Sequence, residues 1–203
     1  EVIDLLNRQG IKTVPTGIEH GTVTAISGDT TAEITTLRKD IRTDGRHAYV
    51  EFTTDWLEDT NRRDFTMNTL LADLQGYVYD PTGQGLKDLK AGKVAFVGDP
   101  ERRITEDYLR ILRFFRFYSR FGKTAPDPDA LAACIKHRQN LKNLSKERIT
   151  HEFSKILLTD GVIATCKIMG DNEILPGLLN RDQIPVLDAL KNAQDNLGLN
   201  YLE

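Results

Sequence analysis

Cysteine, clustered histidine, glycine-rich phosphate signatures and long apolar runs are all scarce in this sequence, and each scarcity removes a class of protein. Two cysteines, Cys134 and Cys166, occur in 203 residues. Neither sits in a Cys-x-x-Cys and together they supply no disulfide framework, so they read as reduced, buried thiols of a cytoplasmic protein. The four histidines, His20, His47, His137 and His151, are scattered. Without HxxxH, HExxH or a His-Asp dipeptide, a histidine-held metal hydrolase site has no support. No GxxxxGK[ST] and no GxGxxG after a strand is present, which leaves out P-loop and dinucleotide folds. Ser27 and Ser119 lack the setting of a nucleophile elbow. No apolar run approaches the roughly 18 residues of a membrane helix, so no membrane partner is expected. Nor is there an excess of positive charge. The 27 Lys and Arg against 30 Asp and Glu leave a net charge of −3, so any nucleic-acid surface must be local.

What remains is ordinary globular composition, 39% hydrophobic and 28% charged, enough for one large domain or two small ones. The first six residues, Glu1-Val2-Ile3-Asp4-Leu5-Leu6, are already helical in pattern with no targeting segment ahead of them. The last eight, from Asn196, carry no obvious stop. The chain is therefore expected to be a piece of a longer protein.

The first half reads as mixed α/β. A short helix over 1–9 stops at Gly10. Residues 22–26, 32–37 and 49–53 are dense in β-branched and aromatic residues that alternate with period two, with a hairpin turn at Ser27-Gly28-Asp29. The polar stretch 38–47, with Gly45, reads as a loop. A helix is expected over 65–73, and short strands near 77–79 and 94–97. The second half reads as all helix. One helix is capped by Thr105 and runs to Phe121, stopping at Gly122. Others lie near 127–139, 145–158, 160–169 and from 184, punctuated by Pro126, Pro128, Pro176 and Pro185. The composition changes near residue 99, the best domain boundary.

Two segments carry candidate chemistry. In Asp59-Thr60-Asn61-Arg62-Arg63-Asp64-Phe65-Thr66-Met67-Asn68, two arginines precede an Asp at a helix start, a setting suited to phosphate. Asp64 and Asn68, spaced i, i+4, share a helix face, and Asn68 suits a sugar hydroxyl. Taken alone, the segment reads first as a plain N-cap with two solvated arginines. In Glu106-Asp107-Tyr108-Leu109-Arg110, Asp107 and Arg110 are i, i+3, and offer acceptors beside a rigid donor fork that matches the edge of a base. Taken alone, that pair is an ordinary surface ion pair on an amphipathic helix.

In this order, the two segments resemble the class II nucleotidyltransferase superfamily, that is, the CCA-adding tRNA nucleotidyltransferases and bacterial poly(A) polymerases. The resemblance covers nearly the whole chain. Residues 32–38 are similar to a palm strand and the start of a flexible loop, and Arg62-Arg63-Asp64-Phe65-Thr66-Met67-Asn68 to a ribose-binding motif. Asp80-Pro81-Thr82-Gly83 with Asp88-Leu89 resembles the head-to-neck linker. Glu106-Asp107-Tyr108-Leu109-Arg110 resembles the ED-x-x-R nucleotide-selecting motif, with Tyr108 where Pro is common. Glu147, Arg148 and Glu152, with Lys155-Ile156-Leu157, resemble a later neck motif. The resemblance implies a partial palm of mixed or antiparallel β-structure with helices over 1–98, a helical neck over 99–158 and a partial helical body over 159–203.

It further implies addition of C and A from CTP and ATP to the tRNA 3′ end, with Mg²⁺ as cofactor, in the cytoplasm and with no protein partner. Arg62, Arg63, Asp64 and Asn68 would meet triphosphate and ribose. Asp107 and Arg110 would read the base, with Glu106 and Arg113 as further nucleotide-binding residues. Lys136, Arg138, Lys142, Lys146 and Arg148 would meet RNA, although each taken singly reads as a solvated cation. Glu33 matches a palm carboxylate and is the catalytic and metal candidate. The family's Gly-Gly loop and its paired Asp-x-Asp are read as absent from the sequence. The parent protein is thus expected to be the enzyme and this chain alone to be inactive. Poly(A) addition, addition of only C or only A, and a non-catalytic RNA-binding module are the alternatives.

Overall fold

β-Branched alternation in the first third of the chain builds strands, and leucine, isoleucine and phenylalanine at helical spacing build the rest. A computed structural model describes residues 1–44, 47–175, 179 and 181–197. It divides into two compact units, Glu1–Arg62 and Arg63–Glu203. Gly45 and Pro176, read above as turn and break, and the stretch after 197 lie outside the described residues.

The first unit opens with helix α1 (Val2–Arg8), ended by a Schellman motif. Gly10 takes φ +72° and donates to Asn7 O, while Ile11 N–H reaches Leu6 O. Strands β1 (Lys12–Gly17), β2 (Thr22–Ser27) and β3 (Thr30–Thr35) form an antiparallel sheet in that order. Ser27 faces Thr30 across a two-residue turn, where Gly28 supplies φ +57°. A second antiparallel pair joins β4 (Arg38–Asp44) to β5 (His47–Phe52). The loop expected over 38–47 is therefore mostly strand. The pairing there is polar, with Lys39 opposite Glu51 and their charged ends 3.3 Å apart, so it lacks the apolar alternation that marks a strand in sequence. Helix α2 (Trp56–Asn61) follows, capped by the Asp55 carboxylate on Leu57 N–H.

The second unit contains β6 (Leu71–Ala72) and β7 (Val78–Tyr79), a short antiparallel pair, then α3 (Gly85–Ala91). Helices α4 (Pro100–Glu106), α5 (Leu109–Phe121), α6 (Pro128–His137), α7 (Lys146–Leu157), α8 (Val162–Asp171) and α9 (Ile184–Leu197) complete it. One apolar cluster holds these helices, centred on Phe65, Phe96, Ile104, Ile111, Leu112, Phe114, Phe115, Ile156 and Met169. Cys134 and Cys166 belong to it, and burial pushes both thiols up, Cys166 to about 11. They are protonated, unreactive core residues. Helix α8 meets α5 closely enough that a β-carbon on Gly161 would clash with Ser119 O.

Three expectations change here. The helix over 65–73 is instead a 3-10 turn, Thr66–Thr69, followed by β6. The reason is competition, because Thr66 N–H is taken by Ala95 O and Asp64 O accepts from Val97 N–H. For the same reason the strand expected over 94–97 is reduced to one bridge, Phe65 to Phe96. The single helix from Thr105 to Phe121 is two helices, α4 and α5, broken at Asp107 with φ −156° and ψ 110°. Asp99, not Thr105, caps the first of them, and Thr105 Oγ1 donates back to Arg102 O. Strand β1 and helices α2, α3 and α4 lack strong apolar periodicity and were not expected.

Candidate functional site

The 3-10 turn and the broken helix meet within the second unit. Asp64 is buried, and its Oδ1 accepts hydrogen bonds from Phe65 N–H (3.0 Å) and Asn68 Nδ2 (2.8 Å). Its Oδ2 accepts from Arg113 Nε on α5 at 2.6 Å. Arg63 is fastened to the same turn through Nη1 to Asn68 O, 2.8 Å. The linker motif supports the turn from behind. The buried Asp88 carboxylate accepts from Thr66 Oγ1 (2.7 Å) and from Gln84 Nε2 (2.7 Å). Asp64 and Asn68 are thus brought together as expected, though by a turn rather than by one face of an α-helix.

Arg110, Arg113, Arg116 and Arg120 recur every three or four residues and share one stripe of α5, opposite the buried Ile111, Leu112, Phe114 and Phe115. Most of the stripe is paired with carboxylates. Arg110 Nη1 donates to Glu106 Oε2 (2.5 Å) and Arg103 O (2.8 Å). Arg116 Nη1 lies 3.2 Å from Glu152 on α7 and its guanidinium lies 4.7 Å from the Phe117 ring centre. Glu106 also receives Arg103 Nη1 at 3.1 Å. The sequence reading passed over Arg103, although its i, i+3 spacing to Glu106 was a signal. Burial works against charge on Glu106. The hydrogen bond from Arg110 and the positive charges of Arg103 and Arg110 outweigh it and hold the carboxyl below its usual value.

Asp107, at the helix break, caps α5. Its Oδ1 accepts from Leu109 N–H (3.1 Å) and its carbonyl from Arg110 N–H (3.0 Å). Its Oδ2 accepts from Arg148 Nη2 on α7, 2.9 Å away. The Asp107 carboxylate and the Arg110 guanidinium are therefore held by separate partners and not by each other.

The remaining candidates are dispersed. Arg62 lies in the first unit, with Nε donating to Arg38 O (3.0 Å) and Nη2 to Asp59 Oδ1 (2.6 Å). Lys136 pairs with Glu101, beside His137. Arg138 donates to Ile135 O, and Lys142 and Lys146 are exposed near it. Glu33 is exposed on β3, opposite Thr24 of β2. Among the described residues no group of three or more His, Cys, Asp or Glu side chains is arranged to hold a metal ion. The Asp-x-Asp spacing does occur at Asp127-Pro128-Asp129, but there Asp127 caps α6 through Ala130 N–H (3.0 Å) and pairs with Lys93 (2.8 Å). It is a helix start, not a palm pair.

The low value of Glu106 gives a pH signature. A carboxyl held lower in the folded than in the unfolded protein contributes stability above its unfolded value, near 4.5. That contribution is lost as pH falls through the lower folded value. Replacing Glu106 by Gln should therefore destabilise the chain by about 1–3 kcal/mol near neutral pH, with the difference from the unchanged chain shrinking below about pH 4. Urea melts from pH 3 to 7 measure it. A difference that persists at pH 3 would assign the effect to packing instead.

Residues 1–95 match the family model described as the poly A polymerase head domain. Residues 125–189 match one described as "Probable RNA and SrmB-binding site of polymerase A". The chain is 46% identical over 162 residues to the human mitochondrial CCA tRNA nucleotidyltransferase 1, covering 79% of this chain and 37% of that protein. It is 38% identical over 183 residues to the CCA-adding enzyme of Oceanobacillus iheyensis, covering 89% and 44%. The crystal structure of the Bacillus stearothermophilus CCA-adding enzyme in complex with CTP superposes with a TM-score of 0.74 at 31% identity, over 87% of this chain and 43% of that one. A tRNA nucleotidyltransferase complexed with a primer tRNA and an incoming ATP analog gives 0.73 at 25% identity, over 96% and 56%. The chain thus spans less than half the length of these curated relatives.

Proposed function

We propose that this chain, whose residues 1–95 match the poly A polymerase head domain and which is similar to CCA-adding enzymes, is the nucleotide-recognition part of an enzyme adding C and A to tRNA 3′ ends. The supporting observation is the Asp64–Arg113 contact at 2.6 Å. It joins the Asn68 turn to the neck helix one turn from Arg110. In this reading Asn68 and Asp64 meet the ribose, Arg63 the triphosphate, and Asp107 with Arg110 the base edge. Glu106 and Arg148 act through their partners. Glu106 aims Arg110, and Arg148 aims Asp107. Residues 1–98 serve as head, 99–158 as neck and 159–203 as the start of the body.

The reaction is attack by the tRNA 3′-hydroxyl on the nucleotide α-phosphorus, with pyrophosphate leaving. Mg²⁺ would supply charge neutralisation in such a transfer. The described carboxylates do not make its site, since Glu33 stands exposed on β3 and Asp127 is a helix cap. The chemistry assigned to this chain's own residues is therefore recognition and orientation of the nucleotide. A cytoplasmic location fits the two reduced thiols, and the mitochondrial designation of the human relative fits them equally.

Sequencing the products made by the full-length parent on tRNA lacking its 3′ end tests the reading. Terminal CCA supports it, whereas an A tract assigns poly(A) addition. Asn68→Ala should raise the apparent nucleotide constant roughly five- to 150-fold, matching a lost buried hydrogen bond of about 1–3 kcal/mol, and should narrow the preference for ribo- over deoxynucleotides. Equal use of both sugars by the unchanged parent would remove ribose reading from this turn.

A further inference from the structure

Phe117 stands where the apolar face of α5 meets its arginine stripe. Phe114 and Phe115 are fully buried, whereas Phe117 is half-buried. Arg113 lies four residues before it, on the same helix face. The Phe117 ring is 5.1 Å from that of Phe65, the fully buried residue that follows Asp64 in the turn. The Arg113 guanidinium lies 5.7 Å from the Phe117 ring centre and that of Arg116 lies 4.7 Å from it. Both are inside the roughly 6 Å reach of a cation–π contact.

These contacts close on themselves. Arg113 Nε donates to Asp64 Oδ2 at 2.6 Å, and the other Asp64 oxygen accepts from Asn68 Nδ2 at 2.8 Å. Phe65, bonded to Asp64 along the chain, rests on Phe117, and Phe117 carries Arg113. Asp64, Arg113, Phe117 and Phe65 thus fix one another, and the Asn68 amide is held by the Asp64 carboxylate. The two arginines also repel. Burial, and against the pull of Glu152 the charge of Arg113, keep the Arg116 guanidinium below its usual value. A π ring beside both cations offsets that repulsion, which an aliphatic side chain of similar size does not. Packing asks only for apolar bulk at 117, whereas holding two cations asks for a ring.

We propose that Phe117 is a positioning residue for the nucleotide sugar, because its ring, in contact with Phe65 and with the Arg113 guanidinium, fixes the geometry in which Asp64 presents Asn68 to the ribose. The proposal rests on the ribose reading given above and adds the residue that holds that site in place. Phe117 acts through Arg113 and Asp64 and meets no part of the nucleotide itself.

The test uses the full-length parent, with KM and kcat measured for CTP against dCTP and for ATP against dATP. Phe117→Leu keeps apolar bulk and removes the π face. It should raise KM for the ribonucleotides about three- to tenfold and cut the ribo-over-deoxy preference by a similar factor, the size of one half-buried cation–π contact, with kcat within about twofold. Phe117→Tyr keeps the ring and should stay within about twofold on every measure. Phe121→Leu makes the same exchange one turn further along α5, at a ring 6.2 Å from that of Phe117, and should leave the sugar preference within about twofold. In a double-mutant cycle, Phe117→Leu should add nothing to the loss of preference caused by Arg113→Ala, since both break one link. Thermal melts check folding, and Phe117→Met replaces the leucine variant if that one does not fold. Failure of both to fold would make 117 a core position alone and overturn the proposal. So would an equal loss in the leucine and tyrosine variants, or additive losses in the cycle, which would put the ring on the nucleotide itself. A parent that prefers ribonucleotides and keeps that preference in Phe117→Leu overturns the proposal and leaves the ribose reading standing. A parent with no preference between the sugars removes both.

Discussion

Arg110→Ala in the full-length parent should abolish most of its discrimination between CTP and UTP while leaving the fold intact. Both hydrogen bonds that anchor the Arg110 guanidinium use Nη1, to Glu106 and to Arg103 O, which leaves the rest of the planar fork for a ligand edge. A bidentate contact of that kind is worth about 1–3 kcal/mol of discrimination, or roughly five- to 150-fold. Asp107→Ala should act similarly, and it also removes a cap from α5 and the partner of Arg148, so some stability goes with it. Lysine at 110 should not rescue, because a single ammonium has no fork. Incorporation ratios from competing CTP and UTP give the answer. Normal ratios in both variants would move base reading to other residues.

An effect of larger size is expected from the chain by itself. With one exposed candidate carboxylate on its sheets, the 203-residue chain should add no nucleotide to tRNA even in excess Mg²⁺. Metal stabilisation of a transferring phosphoryl group is worth several kcal/mol. At about 1.4 kcal/mol per factor of ten, its loss lowers the rate by roughly two orders of magnitude or more. The proposed recognition residues sit on packed elements, so weak CTP or ATP binding should survive. Extension assays and equilibrium dialysis, run on this chain beside the full-length parent, separate chemistry from binding. Robust CCA addition by the chain alone would show a complete metal site and overturn this reading of its carboxylates.

The sequence made the helical half readable because its helices announce themselves. Pro128 after Asp127, Gly122 after Phe121 and the apolar stripe through Ile111 and Phe115 are local signals, and the helices stand where these signals put them. What stayed hidden depends on partners distant in sequence. The turn at Thr66–Thr69 exists because residues 95–97 compete for its backbone, and the β4–β5 hairpin pairs charges where sheets usually pair apolar residues. The candidate nucleotide residues stand out in the sequence as a set only through motif order. Their wiring does not, since neither the Asp64–Arg113 nor the Asp107–Arg148 contact has a local spacing to betray it.

The arginine stripe of α5 and the carboxylates it meets have a bearing on how this part of the protein can change over generations. Arg113 answers to Asp64, Arg116 to Glu152, and Arg110 to Glu106, while Arg148 of α7 answers to Asp107. Each carboxylate comes at least partly out of water, so loss of its arginine strands a charge that costs more than the pair contributes. A lineage that alters one member is driven either to restore it or to alter the other. These positions should therefore be inherited two by two, and a graft of α5 into a distant relative will succeed only if Asp64, Glu106 and Glu152 travel with it.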